Sequence, residues 1–410
     1  MTSLALRNLR AVLILVLVSF HSCIAYLGST KTPASSFDHP PFRWLAYPIV
    51  DSRRWYGFDV YCIWVDLHLM ALMFFLSGLF VAPSLARKGN LRFARERLLR
   101  LGTPFLFSLF VLIPIAIYPA YRLLAPDPGL RAYAQAYVAL PFLPNGPTWF
   151  LWLLLAFSIA ATLVFRVRPG VLAALGRLAS SADARPGRFF FGLLIAGACG
   201  YIPLALALDP WGWFERGPFT FQYSRLLLYV VYFAAGVSVG ACGIERGLLA
   251  PHGRLARLWP RLAASSALGF VVWLGLAAAT VMVPTFAPAP MRFLFAASYA
   301  LACACGVCLM LAAAMRFGAV KSKTLDLLSS NTLGIYVLHY APVVWMQYAL
   351  MDVPLPAICK ALIVFLIVLP ATLGAAVLMR QTRFTALLIG EIADRGRPVA
   401  ISRRLDSSMG

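Results

Sequence analysis

Long apolar runs separated by short polar segments follow one another along almost the whole chain. Ten of these runs approach the roughly 20 residues that a helix needs to cross the hydrocarbon core of a bilayer. They cover residues 9–28, 62–84, 101–121, 148–166, 189–208, 223–243, 263–284, 293–315, 332–350 and 358–380. The pattern predicts an all-α, polytopic membrane protein with about ten transmembrane helices in one bundle.

The composition supports a membrane protein and excludes an ordinary soluble domain. Of the 410 residues, 61% are hydrophobic and 12% are charged, whereas soluble domains carry about 25% charged residues. The mean hydropathy is +0.80, and the expected partner is the lipid bilayer. The eight cysteines fall mostly in or beside apolar runs and form no metal-ligand cluster or disulfide framework. We therefore predict no metal.

The net charge of +21 is distributed unevenly along the chain. Most of the 36 Lys and Arg residues lie near the termini or in alternate connections, at 7–10, 87–100, 166–188, 246–261, 316–323 and 380–404. Because basic loops stay in the cytoplasm, both termini are predicted to be cytoplasmic. The charges are spread between spans and do not form one concentrated face, so we expect no nucleic-acid partner.

The apolar runs also set the predicted domain boundaries. Residues 1–383 are expected to form one transmembrane domain, and residues 384–410 a disordered cytoplasmic tail. The first run is followed by no convincing cleavage site and by further spans, so it is predicted to be a retained span rather than a signal peptide.

The first span carries two residues that are costly to place in a membrane. Ten residues separate Arg10 from His21, which puts them roughly 16 Å apart along a helix. An ionisable group inside a span usually marks a functional site. His339 is expected at a similar depth in the ninth span, and Asp66 near the outer end of the second. For His339, a structural histidine bonded to a neighbouring helix is the alternative.

Two short motifs lie toward the cytoplasmic side. Ser77 and Gly78 form a small-residue pair that suits either close helix packing or the approach of a ligand to the backbone. Arg97 and Arg100 are three residues apart and therefore share a helix face. Arginine suits bidentate contacts with phosphate, and a solvated basic run is the alternative.

The outer ends of the spans are rich in aromatic residues. Trp149 and Trp152 begin the fourth span, where they suit either the membrane interface or stacking on a sugar ring. Arg225, at the outer end of the sixth span, is a candidate buried cation with no partner evident from the sequence.

Taken together, these segments resemble the acyltransferase 3 family of membrane-bound O-acyltransferases. The resemblance is carried by Arg10 and His21 with ten residues between them, by Phe74, Phe75, Ser77 and Gly78, by Arg97 and Arg100, by Trp149 to Trp152, and by Gly334, Ile335, Tyr336 and His339. It covers about residues 5–380. The Asp that often precedes the first Arg in the family is absent, and Gly102 and Thr103 stand before Pro104. The layout is most similar to the branch that decorates periplasmic glucans, including by succinyl transfer.

The resemblance implies an enzyme of the bacterial cytoplasmic membrane with acyl-CoA as its donor substrate, acetyl-CoA or succinyl-CoA, and a carbohydrate acceptor. It implies catalytic roles for His21, as general base, and Arg10. The implied donor-binding residues are Arg97, Arg100, Ser77 and Gly78, and the implied substrate-binding residues are Trp149, Trp152, Tyr336 and His339. Asp66 is expected to bind substrate because of its position near the outer end of the second span, where a hydrated interfacial carboxylate is the alternative. An acyl-histidine intermediate and a homo-oligomer stay open.

Two other classes of protein stay open on the sequence. A solute or proton transporter could use His21 and Arg10 in a translocation pathway. Such folds often have inverted repeats and paired broken helices, and neither is evident here. A scaffold or receptor would leave both residues unexplained. Incorporation of labelled acyl groups would separate a transferase from either class.

Overall fold

A computed structural model describes residues 4–30, 36–180, 185–244, 247–282 and 289–392 as a helical bundle with one small β-hairpin. The first helices are α1 Leu4–Cys23, α2 Tyr56–Gly78, α3 Val81–Lys88, α4 Asn90–Arg97, α5 Thr103–Phe107, α6 Ile113–Leu124, α7 Leu130–Val138, α8 Trp149–Val167, α9 Gly170–Ser180 and α10 Pro186–Ala207. The strands β1 Trp213–Arg216 and β2 Phe219–Gln222 follow. The later helices are α11 Leu226–Cys242, α12 Arg254–Arg257, α13 Trp259–Met282, α14 Ala289–Phe317, α15 Lys323–Ser330, α16 Thr332–Leu338, α17 Tyr340–Ala349, α18 Ala357–Met379 and α19 Arg383–Leu388.

Within these described ranges, nine helical stretches are long and apolar enough to cross a membrane. They are Leu4–Tyr26, Tyr56–Lys88, Asn90–Leu124, Gly146–Val167, Pro186–Ala207, Tyr223–Cys242, Trp259–Ala279, Ala289–Phe317 and Ala357–Met379. Each coincides with a predicted span. The prediction of an all-α polytopic fold is confirmed, and the chain is a multi-pass membrane protein.

The remaining predicted span, 332–350, is not one continuous helix. It consists of α16 and α17, which meet at His339. Pro342 has no backbone N–H to donate to the carbonyl of Leu338, so the regular helical ladder is interrupted there. The two short helices together cover the length of the predicted crossing.

Helices α2 and α11 pack with their backbones close together. A Cβ placed on Gly78 would lie 2.2 Å from the carbonyl oxygen of Phe233. From the other helix, a Cβ on Gly236 would lie 2.0 Å from the carbonyl of Phe75, and one on Gly240 would meet the carbonyl of Leu79 at 2.1 Å. Small residues let helix backbones approach closely where lipid provides no hydrophobic drive for association. These glycines therefore set the spacing of two central helices.

The segment after α18 is ordered further than the sequence suggests. Residues 384–392, predicted to belong to a disordered tail, include most of α19 and pack against the bundle, while 393–410 lie outside the described residues. Pro104 has no backbone N–H and therefore cannot donate to the carbonyl of Arg100. Gly390 packs against this carbonyl, and a Cβ placed on Gly390 would lie 2.5 Å from its oxygen. Gly390 has a φ of +78°, which favours glycine. A packed backbone contact thus orders this segment.

The hairpin β1–β2 lies at the end of the bundle opposite to Arg100 and contacts the start of α8. Its two-residue turn contains Gly217, with a φ of +54°. The amide of Asn145 donates to the carbonyl of Pro218 at 2.9 Å, and the hydroxyl of Thr220 donates to the side-chain oxygen of Asn145 at 2.7 Å. We call this end, with the hairpin and Trp149, the aromatic face. The end with Arg10, Arg97 and Arg100 is the basic face.

A buried ion pair connects the loop between α1 and α2, called the first long loop, to α18 at the aromatic face. The ammonium of Lys360 lies 2.6 Å from a carboxylate oxygen of Asp51, and both side chains are 0% exposed. The same ammonium donates to the carbonyl of Met351 at 3.0 Å, and Asp51 accepts from the backbone N–H of Arg53 at 2.7 Å. These additional hydrogen bonds are what a buried pair requires to offset its desolvation.

Candidate active site

A cavity of about 510 Å³ opens into the bundle from the basic face. This volume is in the usual range for small-molecule sites. Its charged lining comprises five cations and two acids, namely Arg10, Arg87, Lys88, Arg97, Arg100, Glu96 and Glu391. The cavity therefore carries a positive excess, and an anionic ligand is favoured.

Three guanidinium groups from α1, α4 and the π-helical turn after it converge on this cavity. Across the described parts of the chain, no carboxylate forms an ion pair with Arg10, Arg97 or Arg100. Arg10 lies 4.3 Å from the ring centre of Phe80, and Arg97 lies 5.0 Å from that of Phe93. The aromatic faces hold the two cations in place without neutralising them.

Both acidic side chains of the cavity are paired with other cations. Glu391 lies 3.8 Å from Arg380. Glu96 forms an ion pair with Lys88 and a second with Arg92, whose Nε lies 3.1 Å from the carboxylate. Arg10, Arg97 and Arg100 are consequently available to a phosphate or another anion.

A further part of the cavity lining is apolar. Helices α2 and α8 and the start of α16 supply it, through Met73, Leu76, Phe150, Leu151, Leu154 and Leu333. Ser77 also lines the cavity, whereas its neighbour Gly78 packs against α11. The two residues of the predicted donor-binding pair therefore occupy different environments. A ligand with an anionic head and an uncharged tail would match a lining that combines cations with apolar side chains.

The predicted histidines lie next to this cavity, not in its lining. Tyr336 lines the cavity, and its ring centre is 6.0 Å from that of His339. The hydroxyl of Tyr336 donates to the carbonyl of Pro147. One aromatic ring thus separates the cavity from the histidines, and a ligand would have to pass Tyr336 to reach them.

His21 and His339 come together although they lie 318 residues apart in sequence. Nε2 of His339 is 3.3 Å from Nδ1 of His21, and the ring centres are 4.8 Å apart. His21 is half-buried, whereas His339 is 0% exposed. The family resemblance implies a substrate contact at His339, and the structure directs its side chain to His21.

Hydrogen bonds hold both the ring and the backbone of His21. Nδ1 of His21 donates to the carbonyl of Leu17 at 2.9 Å, since a carbonyl oxygen can only accept. The carbonyl of His21 in turn accepts from the amide of Gln347 at 2.8 Å. A neutral His21 therefore keeps a free lone pair on Nε2, which is what a general base needs.

Asp66 is paired with a cation and not with a histidine. An oxygen of Asp66 lies 2.7 Å from Nη2 of Arg225, with the two side chains 39% and 3% exposed respectively. Arg225 also lies 4.9 Å from the ring centre of Tyr299. The cation that lacked a partner in the sequence thus holds the carboxylate predicted to bind substrate.

The aromatic face connects the other predicted substrate residues. Trp149 stacks on Tyr229, with ring centres 5.9 Å apart, and Tyr229 interacts with Arg225. Asp66 and Trp149 are consequently linked through two intervening side chains. Trp152 is separate, because its indole N–H donates to the carbonyl of Thr220 at 3.1 Å and its ring packs on the hairpin.

A family model described as an acyltransferase domain matches residues 3–380. The chain belongs to the acyltransferase 3 family. No curated protein and no solved structure matches the chain significantly. Membership is consistent with the five motifs noted in the sequence, and it establishes acyl transfer at a membrane as the general activity of this acyltransferase.

Two features of the site were not anticipated from the sequence. Gln347 is a buried amide within the predicted span 332–350, and a buried polar side chain at such a position indicates a structural or functional role. The pairing of Arg225 with Asp66 has no local sequence signal, because the residues belong to different helices. Among the described residues, no group of three or more His, Cys, Asp or Glu is placed to hold a metal ion.

Proposed function

We propose that this acyltransferase moves an acetyl or succinyl group from cytoplasmic acyl-CoA to a hydroxyl of a carbohydrate, such as a periplasmic glucan. We place it in the cytoplasmic membrane of a bacterium, with the basic face inward. The observation that carries the proposal is the cavity in which Arg10, Arg97 and Arg100 converge without carboxylate partners, one aromatic ring away from His21 and His339.

The donor end of the proposal is supported by the polarity of the cavity. The phosphates of acyl-CoA would bind the three arginines, since charge-assisted, bidentate contacts of arginine with phosphate are strong. The uncharged pantetheine arm would lie along the apolar walls near Ser77 and Phe150. Its thioester would then point past Tyr336 toward His21.

The chemical step uses the free lone pair of His21. Nε2 removes the proton of the acceptor hydroxyl as the oxygen attacks the thioester carbonyl carbon. A carbon–oxygen bond forms, the carbon–sulfur bond breaks, and the CoA thiolate takes the proton from His21. Histidine thus returns to its starting state after each transfer.

The acceptor end is supported by the residues at the aromatic face. A carboxylate held by a buried arginine offers hydrogen-bond acceptors to sugar hydroxyls, and aromatic faces stack on the apolar side of sugar rings. Asp66 and Trp149 provide these two features and are linked through Arg225 and Tyr229. A carbohydrate hydroxyl would therefore approach His21 from the side opposite to the donor.

The first experiment measures transfer of labelled acyl groups in membranes. Membranes that contain the native chain, His21→Ala or His39→Ala at matched protein level receive radiolabelled acetyl-CoA or succinyl-CoA. His39 lies in an exposed loop and serves as the control. We expect label in the glycan fraction with the native chain and with His39→Ala, and a loss of about 100-fold or more with His21→Ala, typical of a missing general base.

Two results would contradict the proposal. Equal incorporation with His21→Ala would exclude His21 as the base. A native chain that transfers neither acyl group to glycan would exclude the proposed donors and acceptor class.

A further inference from the structure

His339 is oriented by the backbone of its own helix. Its Nδ1 lies 2.7 Å from the carbonyl oxygen of Tyr336, which can only accept, so the hydrogen is on Nδ1. A neutral imidazole then has its lone pair on Nε2. That atom faces Nδ1 of His21 at 3.3 Å. His339 therefore presents an acceptor to the nitrogen of His21 that carries a hydrogen.

Aromatic rings and backbone groups form the observed contacts of the histidine pair. The rings around His21 are those of Phe20, His339 and Tyr340, and the amide of Gln347 binds its backbone. Within the described residues, no carboxylate bonds to either imidazole. In many His-dependent enzymes an Asp accepts this hydrogen. Here the carbonyl of Leu17, at 2.9 Å, and Nε2 of His339, at 3.3 Å, both face Nδ1 of His21.

We propose that His339 is the positioning residue of His21: its Nε2 is a second acceptor for the Nδ1 hydrogen of His21, shared with the carbonyl of Leu17 in a three-centre hydrogen bond. It thereby stabilises the imidazolium that forms when His21 takes up the hydroxyl proton. This inference rests on the proposed function. His339 itself neither gains nor loses a proton, and being fully buried it does not touch the substrate. The separation of 3.3 Å shortens as His21 becomes charged, because hydrogen bonds of catalytic groups tighten along the reaction.

A neutral acceptor suits this location. An unpaired carboxylate at such a depth would have to be desolvated, at a high cost in free energy. An imidazole avoids that cost while His21 is neutral. It still provides a hydrogen bond when positive charge develops, and a bond to a charged group is stronger than one between neutral groups.

Two amide substitutions separate positioning from a purely structural role. His339→Asn keeps a donor near the position of Nδ1, which can still bind the carbonyl of Tyr336, but has no atom near the position of Nε2. His339→Gln places its amide oxygen near the position of Nε2 and loses the bond to Tyr336. If His339 positions His21, His339→Gln should retain more activity than His339→Asn. If His339 has only a structural role, His339→Asn should retain more activity.

The test measures kcat and the KM for acyl-CoA in membranes, per amount of folded protein determined by size-exclusion chromatography in detergent. We expect kcat to fall about 10- to 100-fold in His339→Asn, with KM nearly unchanged, which is the effect of losing one hydrogen bond to a charged group. His339→Gln should retain clearly more of kcat. In a His21→Ala background, His339→Asn should have little further effect, because the two residues act together.

The possible outcomes separate the inference from the function on which it rests. A native chain without acyl transfer overturns both. If the native chain is active, two results overturn the inference alone. In the first, His339→Asn retains at least as much kcat as His339→Gln; in the second, neither substitution changes kcat. A further loss from His339→Asn in the His21→Ala background likewise overturns it, because the residue would then act independently of His21.

Discussion

Ser77 and Gly78 are adjacent residues with different tasks. Ser77 donates its hydroxyl to the carbonyl of Met73 at 2.8 Å and lines the donor cavity. Gly78 faces away from the cavity, where its missing side chain lets α2 touch the backbone of α11. Successive residues of a helix point about 100° apart, so Ser77 can face the cavity while Gly78 faces α11.

We predict opposite phenotypes for substitutions at these two positions. Ser77→Leu fills part of the cavity and should raise the KM for acyl-CoA by about tenfold or more, with little change in thermal unfolding. Gly78→Ala introduces a clash with Phe233 and should destabilise the fold by roughly 1–3 kcal/mol, as overpacking does. Both are measured on detergent-solubilised protein. An unchanged KM in Ser77→Leu would contradict the assignment of the cavity to the donor.

The helix from Asn90 to Leu124 shows how one element serves two functions. It is apolar enough to cross the membrane, and its start carries the arginines of the cavity. The backbone widens into a π-helical turn over Leu98–Gly102, which contains Arg100. Such turns often occur at functional sites. Arg97 and Arg100 both reach the cavity, whereas Arg95, also on α4, is exposed outside it.

Arg95 and Arg97 form a matched pair for testing the donor site. Arg97→Gln removes a cation from the cavity and should raise the KM for acyl-CoA by about 10- to 100-fold. This increase corresponds to the free energy of one lost charge-assisted hydrogen bond. The salt dependence of KM should weaken at the same time. Arg95→Gln removes the same charge outside the cavity and should leave KM within about twofold of native. Equal effects of the two variants would indicate only a general attraction to a basic surface.

At the scale of the whole molecule, the two ends of the bundle are built differently. The basic face is open to a cavity, and its charges are spread over α1, α3, α4 and the segment after α19. The aromatic face is covered by the first long loop, where Phe37 stacks on Trp44 and Phe42 packs on Phe142. The ion pair of Asp51 with Lys360 fastens this cover to the last long helix.

We expect this ion pair to be critical for stability once one partner is lost. Lys360→Met leaves a buried carboxylate without its cation and should cost roughly 3–5 kcal/mol of unfolding free energy. Asp51→Asn combined with Lys360→Met removes both charges, keeps an acceptor for the N–H of Arg53, and should recover much of that loss. Thermal unfolding in detergent measures both variants. Two results would contradict a structural role for the pair. One is a Lys360→Met variant as stable as the native chain, and the other is a double variant no more stable than Lys360→Met.

Several properties of this protein follow from the sequence by itself. The length and number of apolar runs predict the helices, because the thickness of the bilayer requires about 20 residues per crossing. Arg10 and His21 lie on one continuous helix, so their separation along its axis is also a local property. The same local rule did not foresee the break at His339 between α16 and α17. The motifs that resemble the acyltransferase 3 family likewise need no structure to be seen.

Only the tertiary structure decides which of these residues meet. The contact of His21 with His339, the pair of Asp66 with Arg225, and the shared cavity of Arg10 and Arg97 each join separate helices. They depend on how every helix is rotated about its axis. In a soluble helix, a polar stripe reveals that rotation. In a membrane, the side that faces lipid and the side that faces the bundle are both apolar, so the pattern along the chain does not encode it.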